Sequence, residues 1–229
     1  ADPALAAGAD FVRLLARHGV AVRGGVARAT ALAGATELAR VQSPTVAGLV
    51  EQMLATSDND LAEVLFRQVA VARGRPGTFV DGRAEVAAIL GELGVPTDGM
   101  RLLDGSGLAR GSRVSPETVA RLLAAATGDR RPALRPLVTG LPVAAFSGTL
   151  DDRLDEAGAG RAGAGLVRAK TGTLTGVDSL AGLATGAGGR LLVFAVMADR
   201  GRPADVLRAQ DGLDRFAAAV AVIAGDMGG

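Results

Sequence analysis

Apolar residues recur along this chain with two different periods, helical over most of its length and strand-like near its end. Over residues 4–18, Leu5, Val12, Leu15 and Ala16 share one helical face and Gly19 follows as a stop signal, so the spacing predicts a helix. Two short apolar pieces, V-A-V from Val20 and T-E-L-A-R-V from Thr36, lie between glycines and read as edge strands or extended loop. Ser43-Pro44 predicts a helix start, with serine as the cap and proline at the first helical position. That helix, P-T-V-A-G-L-V-E-Q-M-L-A, breaks at Thr56-Ser57-Asp58-Asn59-Asp60, and another runs on through L-A-E-V-L-F-R-Q-V-A. A further helix over roughly 80–93 is stopped by Gly94 and Pro96.

M-R-L-L from Met100 reads as a short strand feeding a glycine-punctuated turn around Ser106, and Ser115-Pro116-Glu117 opens the next helix. Residues 129–165, rich in Pro, Gly and Arg, predict short helical pieces at best. Strands are predicted from Leu166 to Leu174, Ser179 to Thr185 and Leu191 to Ala198, the last two forming a hairpin through a turn at Gly186–Gly189. From Pro203 to Ala224 an amphipathic helix, with Val206, Leu207, Leu213, Phe216, Val220 and Ile223 on its apolar face, can lie across that sheet. With no internal repeat and no linker, the pattern predicts one α+β unit spanning residues 1–229.

The first of those strands carries the chemistry. L-V-R-A-K-T-G-T-L-T-G-V holds Lys170, the chain's single lysine, where every other strong base is arginine. An ammonium is compact and its pKa is tunable, so it can relay or orient a proton as a guanidinium cannot. Thr171 and Thr173, two apart, fall on one face of a strand, and Gly172 between them lets another backbone come close. On its own, K-T-G is equally a strand end with a solvated lysine. The polar run Thr56–Asp60 is likewise either a cap with a turn or a site, since one Asp or Asn is enough to cap a helix.

Composition narrows the classes. A net charge of +1, scattered arginines and no Trp or Tyr give no case for nucleic acid. No apolar run approaches the ~18 residues that span a bilayer. With no cysteine and His18 the only histidine, neither a thiolate nor a histidine zinc site is available. His18 suits the helix dipole just before Gly19, and nothing around it marks a catalytic base. G-A-G-R-A-G at 158–163 matches G-x-G-x-x-G formally, but it follows no strand and opens no helix, so it reads as loop.

S-D-N at Ser57–Asn59 and K-T-G-T at Lys170–Thr173 stand in the order of the pair that accompanies a nucleophilic S-x-x-K in penicillin-recognising enzymes. With D-G-S-G-L-A-R between them and the Ser-Pro start before S-D-N, the chain resembles the class C low-molecular-mass penicillin-binding proteins. These are the D-alanyl-D-alanine carboxypeptidases and endopeptidases. A class A β-lactamase is expected to carry E-x-x-L-N between the two motifs, and nothing here matches it. The resemblance implies a penicillin-recognising fold, an antiparallel sheet flanked by helices, and a secreted or periplasmic hydrolase acting on peptidoglycan stem peptides. It implies no metal or cofactor, and β-lactams as ligands.

The same resemblance implies catalytic roles for Ser57, Asn59 and Lys170. Ser57 and Lys170 relay a proton toward the leaving amine, and Asn59 holds the substrate amide. Thr171 and Thr173, with Gly172 between them, bind the terminal carboxylate, and the Thr173 N–H serves as an oxyanion donor. One departure is large. Three residues after the seven serines stand Val46, Asp60, Ala109, Ser115, Thr118, Leu150 and Gly182, so S-x-x-K is absent. The expectation is therefore the C-terminal part of such a domain, incomplete at its N-terminus, with the nucleophile on a removed or non-covalently held segment. Its rival is a catalytically inactive module of the same fold that binds peptidoglycan or scaffolds a complex.

Overall fold

The computed structural model describes residues 2–30, 32–154, 160–186 and 188–226. Its internal contacts fall into two groups, Ala1–Ser43 and Pro44–Gly229. In the first, helix α1 (Pro3–Arg17) is capped by Asp2, whose carboxylate accepts from the N–H groups of Ala4 and Leu5. Arg28 grips the same carboxylate at 2.8–3.0 Å and so ties the following loop to the helix start. Of the two readings for the apolar pieces at 20–22 and 36–41, extended loop is the one adopted among the described residues.

The second group opens with α2 (Val46–Thr56), α3 (Asn59–Ala72) and α4 (Phe79–Glu92). The predicted cap moves by two residues. Thr45, extended at ψ 158°, receives the Gly48 N–H on its hydroxyl, so the helix begins at Val46 and Pro44 stays outside it. Phe66 of α3 packs on Phe79 of α4 with centroids 6.4 Å apart, and Gly82 lets the two helices close on that ring. The strand expected at 100–103 is a correction: it shrinks to one bridge, Arg101 with Arg113. Beyond that bridge the chain is drawn aside by carboxylates. Asp104 accepts from the Ala109 N–H (2.7 Å) and the Ser112 hydroxyl (3.1 Å), while Glu63 of α3 accepts from the Gly105 N–H at 2.8 Å.

Helix α5 (Pro116–Thr127) starts as predicted, with the Ser115 hydroxyl accepting from the Thr118 N–H. Short pieces follow: a 3-10 turn at Pro132–Leu134, the single-turn α6 (Pro136–Thr139), and 3-10 turns at Gly148–Leu150 and Arg161–Gly163. Gly158 and Ala159 of the formal glycine motif lie outside the described residues. Strands β1 (Val167–Leu174), β2 (Val177–Thr185) and β3 (Leu191–Asp199) form an antiparallel sheet in that order, and α7 (Val206–Asp226) ends the chain. The turn joining β2 to β3 is closed by Gly189 N–H onto Gly186 O; Ala187 lies outside the described residues.

Alternation along β2 sorts the sheet's two faces. Leu180 and Ala184 join Val167, Ala169 and Phe194 under α7, whose small Ala217, Ala218 and Ala221 allow close approach. Phe216 of α7 meets Phe194 edge-on at 6.2 Å. Leu183 faces the other way, against Leu123 and Val119 of α5 together with Leu141. The sheet is thus held between helices on both faces, α7 on one and α5 on the other.

Candidate active site

Two segments converge on β1 and a third braces the first of them. The first is the elbow between α2 and α3. Ser57 ends α2 in the left-handed region (φ 55°, ψ 45°), a conformation that a residue with a side chain adopts at a cost of about 1 kcal/mol. Asp58 then caps α3 by accepting from the Leu61 N–H at 2.9 Å. The polar run therefore divides its labour: Asp58 is the cap, and Ser57 is turned outward by the strained elbow toward β1.

There the Ser57 Oγ receives a hydrogen bond from Lys170 Nζ at 2.8 Å, between residues 113 apart in sequence. A second Nζ hydrogen goes to the Thr171 carbonyl at 2.7 Å. Lys170 is part-buried, and that burial pushes its ammonium below the usual lysine range by penalising the charged form. Among the described residues no carboxylate pairs with it, so no opposite charge offsets the loss of water.

The second segment, Pro142–Leu150, hangs on the outer edge of β1. Ala169 N–H donates to Pro142 O at 3.0 Å and Ala144 N–H to Val167 O at 2.9 Å. Antiparallel pairing alternates, so the N–H and C=O of Thr171 and Thr173 point to this same edge, beyond the part that Pro142–Ala144 covers. Among the described residues no strand pairs with this edge from Thr171 to Thr173, where the Thr171 carbonyl accepts from Lys170 Nζ.

The threonine hydroxyls do not converge on one partner. Thr171 Oγ1 donates to Thr149 Oγ1 at 3.0 Å, whereas Thr173 Oγ1, exposed, lies 3.5 Å from Gln210 Nε2 on α7. Asn59 occupies the first turn of α3 with its side chain exposed and unpartnered among the described residues. The reason for Gly172 also differs from the one expected: a side chain there would collide with the Ser179 hydroxyl directly opposite on β2, rather than with another backbone.

The third segment is the D-G-S-G turn, which braces α3. Glu63 accepts from the N–H groups of both Gly105 and Ser106, at 2.8 and 3.2 Å, and lies 2.5 Å from the Ser106 Oγ. A Cβ at Gly105 would stand 2.5 Å from Ala62 O, so only glycine lets the turn seat. From the end of this turn Arg110 reaches the Thr175 carbonyl, 3.2 Å away in the β1–β2 turn. Thr149, Glu63 and Gln210 escaped sequence reasoning. Glu63 sits in helical register as an ordinary surface acid, and Thr149 lies in a stretch without period.

The sequence matches the D-Ala-D-Ala carboxypeptidase 3 (S13) family over residues 1–220. Carboxypeptidase DacB of Mycolicibacterium smegmatis is 41% identical over 202 residues, covering 88% of this chain and 43% of DacB. The crystal structure of penicillin binding protein 4 (dacB) from Haemophilus influenzae superposes with a TM-score of 0.76 at 28% identity, over 96% of this chain and 48% of that one. The same Haemophilus influenzae protein complexed with a β-lactam gives a TM-score of 0.73 at 28% identity, covering 94% of this chain and 51% of the other. The chain therefore spans about half the length of the relatives it matches.

Proposed function

The chain belongs to the D-Ala-D-Ala carboxypeptidase 3 (S13) family, and from that premise we propose that it carries the proton-relay and carboxylate-binding half of a serine D-alanyl-D-alanine carboxypeptidase site. The attacking serine, with its S-x-x-K lysine, is then supplied by a segment outside these 229 residues. The observation that carries this reading is the Lys170–Ser57 hydrogen bond joining K-T-G to S-D-N at 2.8 Å. A module that only bound peptidoglycan would have no use for a desolvated amine held against a hydroxyl.

In this mechanism the substrate is a peptidoglycan stem peptide ending in D-Ala-D-Ala, lying along the open edge of β1 as an added strand. The external serine attacks the carbonyl between the alanines, and the Thr173 N–H supplies one oxyanion donor. Lys170 and Ser57 pass a proton toward the leaving D-alanine amine, and Thr171 and Thr173 hold its carboxylate. Asn59, exposed at the mouth of the elbow, takes the substrate amide. Water then releases the acyl group. β-Lactams enter the same site because their ring carbonyl stands where the scissile one does. The outer edge of β3, which pairs with no strand among the described residues, is where strands of the supplying segment would add. Such a substrate places the protein in the cell envelope, and its recovery only from the cytosol on fractionation would contradict that placement.

Release of free D-alanine from a stem pentapeptide tests the reading. The chain combined with the S-x-x-K segment is expected to release it. Ser57→Ala is expected to lower that rate by about 10²-fold, as for loss of a group that moves a proton. Undiminished release by Ser57→Ala would remove Ser57 from the relay.

A further inference from the structure

The turn at Gly148–Leu150 stands between the two halves of the site. On one side Gly148, at φ 59°, packs so closely on the last turn of α2 that a side chain there would collide with the Ala55 carbonyl. On the other side Thr149 touches β1 through the Thr171 hydroxyl. The turn has little freedom to drift. Leu150 is fully buried in the core under α7, its carbonyl accepts from the Ala145 N–H at 2.8 Å, and the Ser147 hydroxyl accepts from the Val143 N–H at 3.0 Å. Thr149 Oγ1 is therefore a fixed point against which the Thr171 side chain is set, and Thr is itself stiff about χ1.

The hydroxyl pair has an unused proton. Each hydroxyl has one hydrogen to give. Thr171 gives its hydrogen to Thr149, while the hydrogen of Thr149 has no acceptor among the described residues. In this state Thr171 offers only lone pairs to the site, which a carboxylate cannot use because it too only accepts. Reversing the pair resolves the mismatch. Thr149 donates to Thr171 Oγ1, Thr171 turns its own hydrogen to the carboxylate, and each bond in the chain polarises the next. No covalent bond changes, and no proton leaves its oxygen.

We propose that Thr149 is a positioning residue for the carboxylate end of the site, holding the Thr171 hydroxyl at rest and donating to it when a carboxylate binds. The proposal rests on the assignment of Thr171 to the substrate carboxylate. Its test uses the single lysine as a reporter. The 229-residue chain labelled with 15N-lysine gives one side-chain signal, that of Lys170, which is followed during titration with acetyl-D-alanyl-D-alanine and with its C-terminal amide.

The wild-type chain is expected to prefer the acid over the amide. Thr149→Val, close in shape but without the hydroxyl, is expected to lose about tenfold of that preference, the size of one hydrogen bond. Thr149→Ser, which keeps the hydroxyl, is expected to retain it. In a Thr171→Val background, Thr149→Val should change nothing further. Full preference in Thr149→Val, or a loss in Thr149→Ser equal to that in Thr149→Val, overturns the proposal while leaving the functional reading intact. Failure of the wild-type chain to bind either ligand overturns the functional reading, and this proposal with it.

Discussion

Replacing Lys170 with arginine is expected to slow acylation of the assembled enzyme by about 10²-fold or more, although the positive charge is kept. The present amine fits two acceptors at once, the Ser57 Oγ at 2.8 Å and the Thr171 carbonyl at 2.7 Å, from a side chain held largely out of water. A guanidinium is planar, its donors are fixed in a fork wider than that gap, and it does not give up a proton in proteins. Charge retained without proton exchange separates the two uses of the residue. Binding of a D-alanyl carboxylate should survive in Lys170→Arg to within a few-fold, while the rate of reaction with a fluorescent penicillin collapses. A near-normal acylation rate would make Lys170 an electrostatic anchor and nothing more.

The pH dependence follows from the direction in which burial moves this amine. Desolvation lowers the Lys170 pKa, so the neutral amine, able to take a proton from Ser57, appears at lower pH than it would for a solvated lysine. In the wild-type enzyme the acylation rate should rise with pH through that lowered value, and this limb should vanish in Lys170→Arg. Folding stability carries the same signature. Between the lowered folded value and the ordinary unfolded one, the unfolded chain binds the extra proton, so stability rises with pH across that window. Below it, the full cost of holding a charged amine out of water is present.

What the sequence reveals of this site is what local periods and motifs encode. The period-two stretch from Leu166 to Ala198 places Lys170 on a strand and its two threonines on one face, and the sheet forms in that order. The helix-breaking run at 56–60 marks the elbow, because small polar side chains compete for backbone groups wherever a helix stops. The elements that failed are those decided by distant partners. The strand at 100–103 is reduced to a bridge because Glu63, some forty residues earlier, holds the backbone of Gly105 and Ser106 at 2.8 and 3.2 Å. Thr149 is invisible for the same reason: its significance is a contact with a strand 22 residues further on, and the Pro- and Gly-rich stretch around it has no period to read. Ser43 lost its place as cap to Thr45, a choice between two hydroxyl residues two apart that only backbone geometry makes.

As half of an active site, the chain is expected to recognise β-lactams without being acylated by them. Ser57 is the one serine held against an amine, which makes it the obvious candidate for a nucleophile in its own right. Its setting argues against that role. Three residues after Ser57 stands Asp60, where an S-x-x-K nucleophile needs a lysine, and the amine Ser57 meets comes from a different element, β1. An oxyanion donor and a carboxylate clamp without a nucleophile stabilise a transition state only weakly. Intact-mass spectrometry after incubation with a fluorescent penicillin decides the matter. No adduct is expected on the 229-residue chain alone and, when the S-x-x-K segment is present, an adduct on that segment's serine; a stoichiometric adduct on the isolated chain would refute the half-site reading and assign the nucleophile to Ser57.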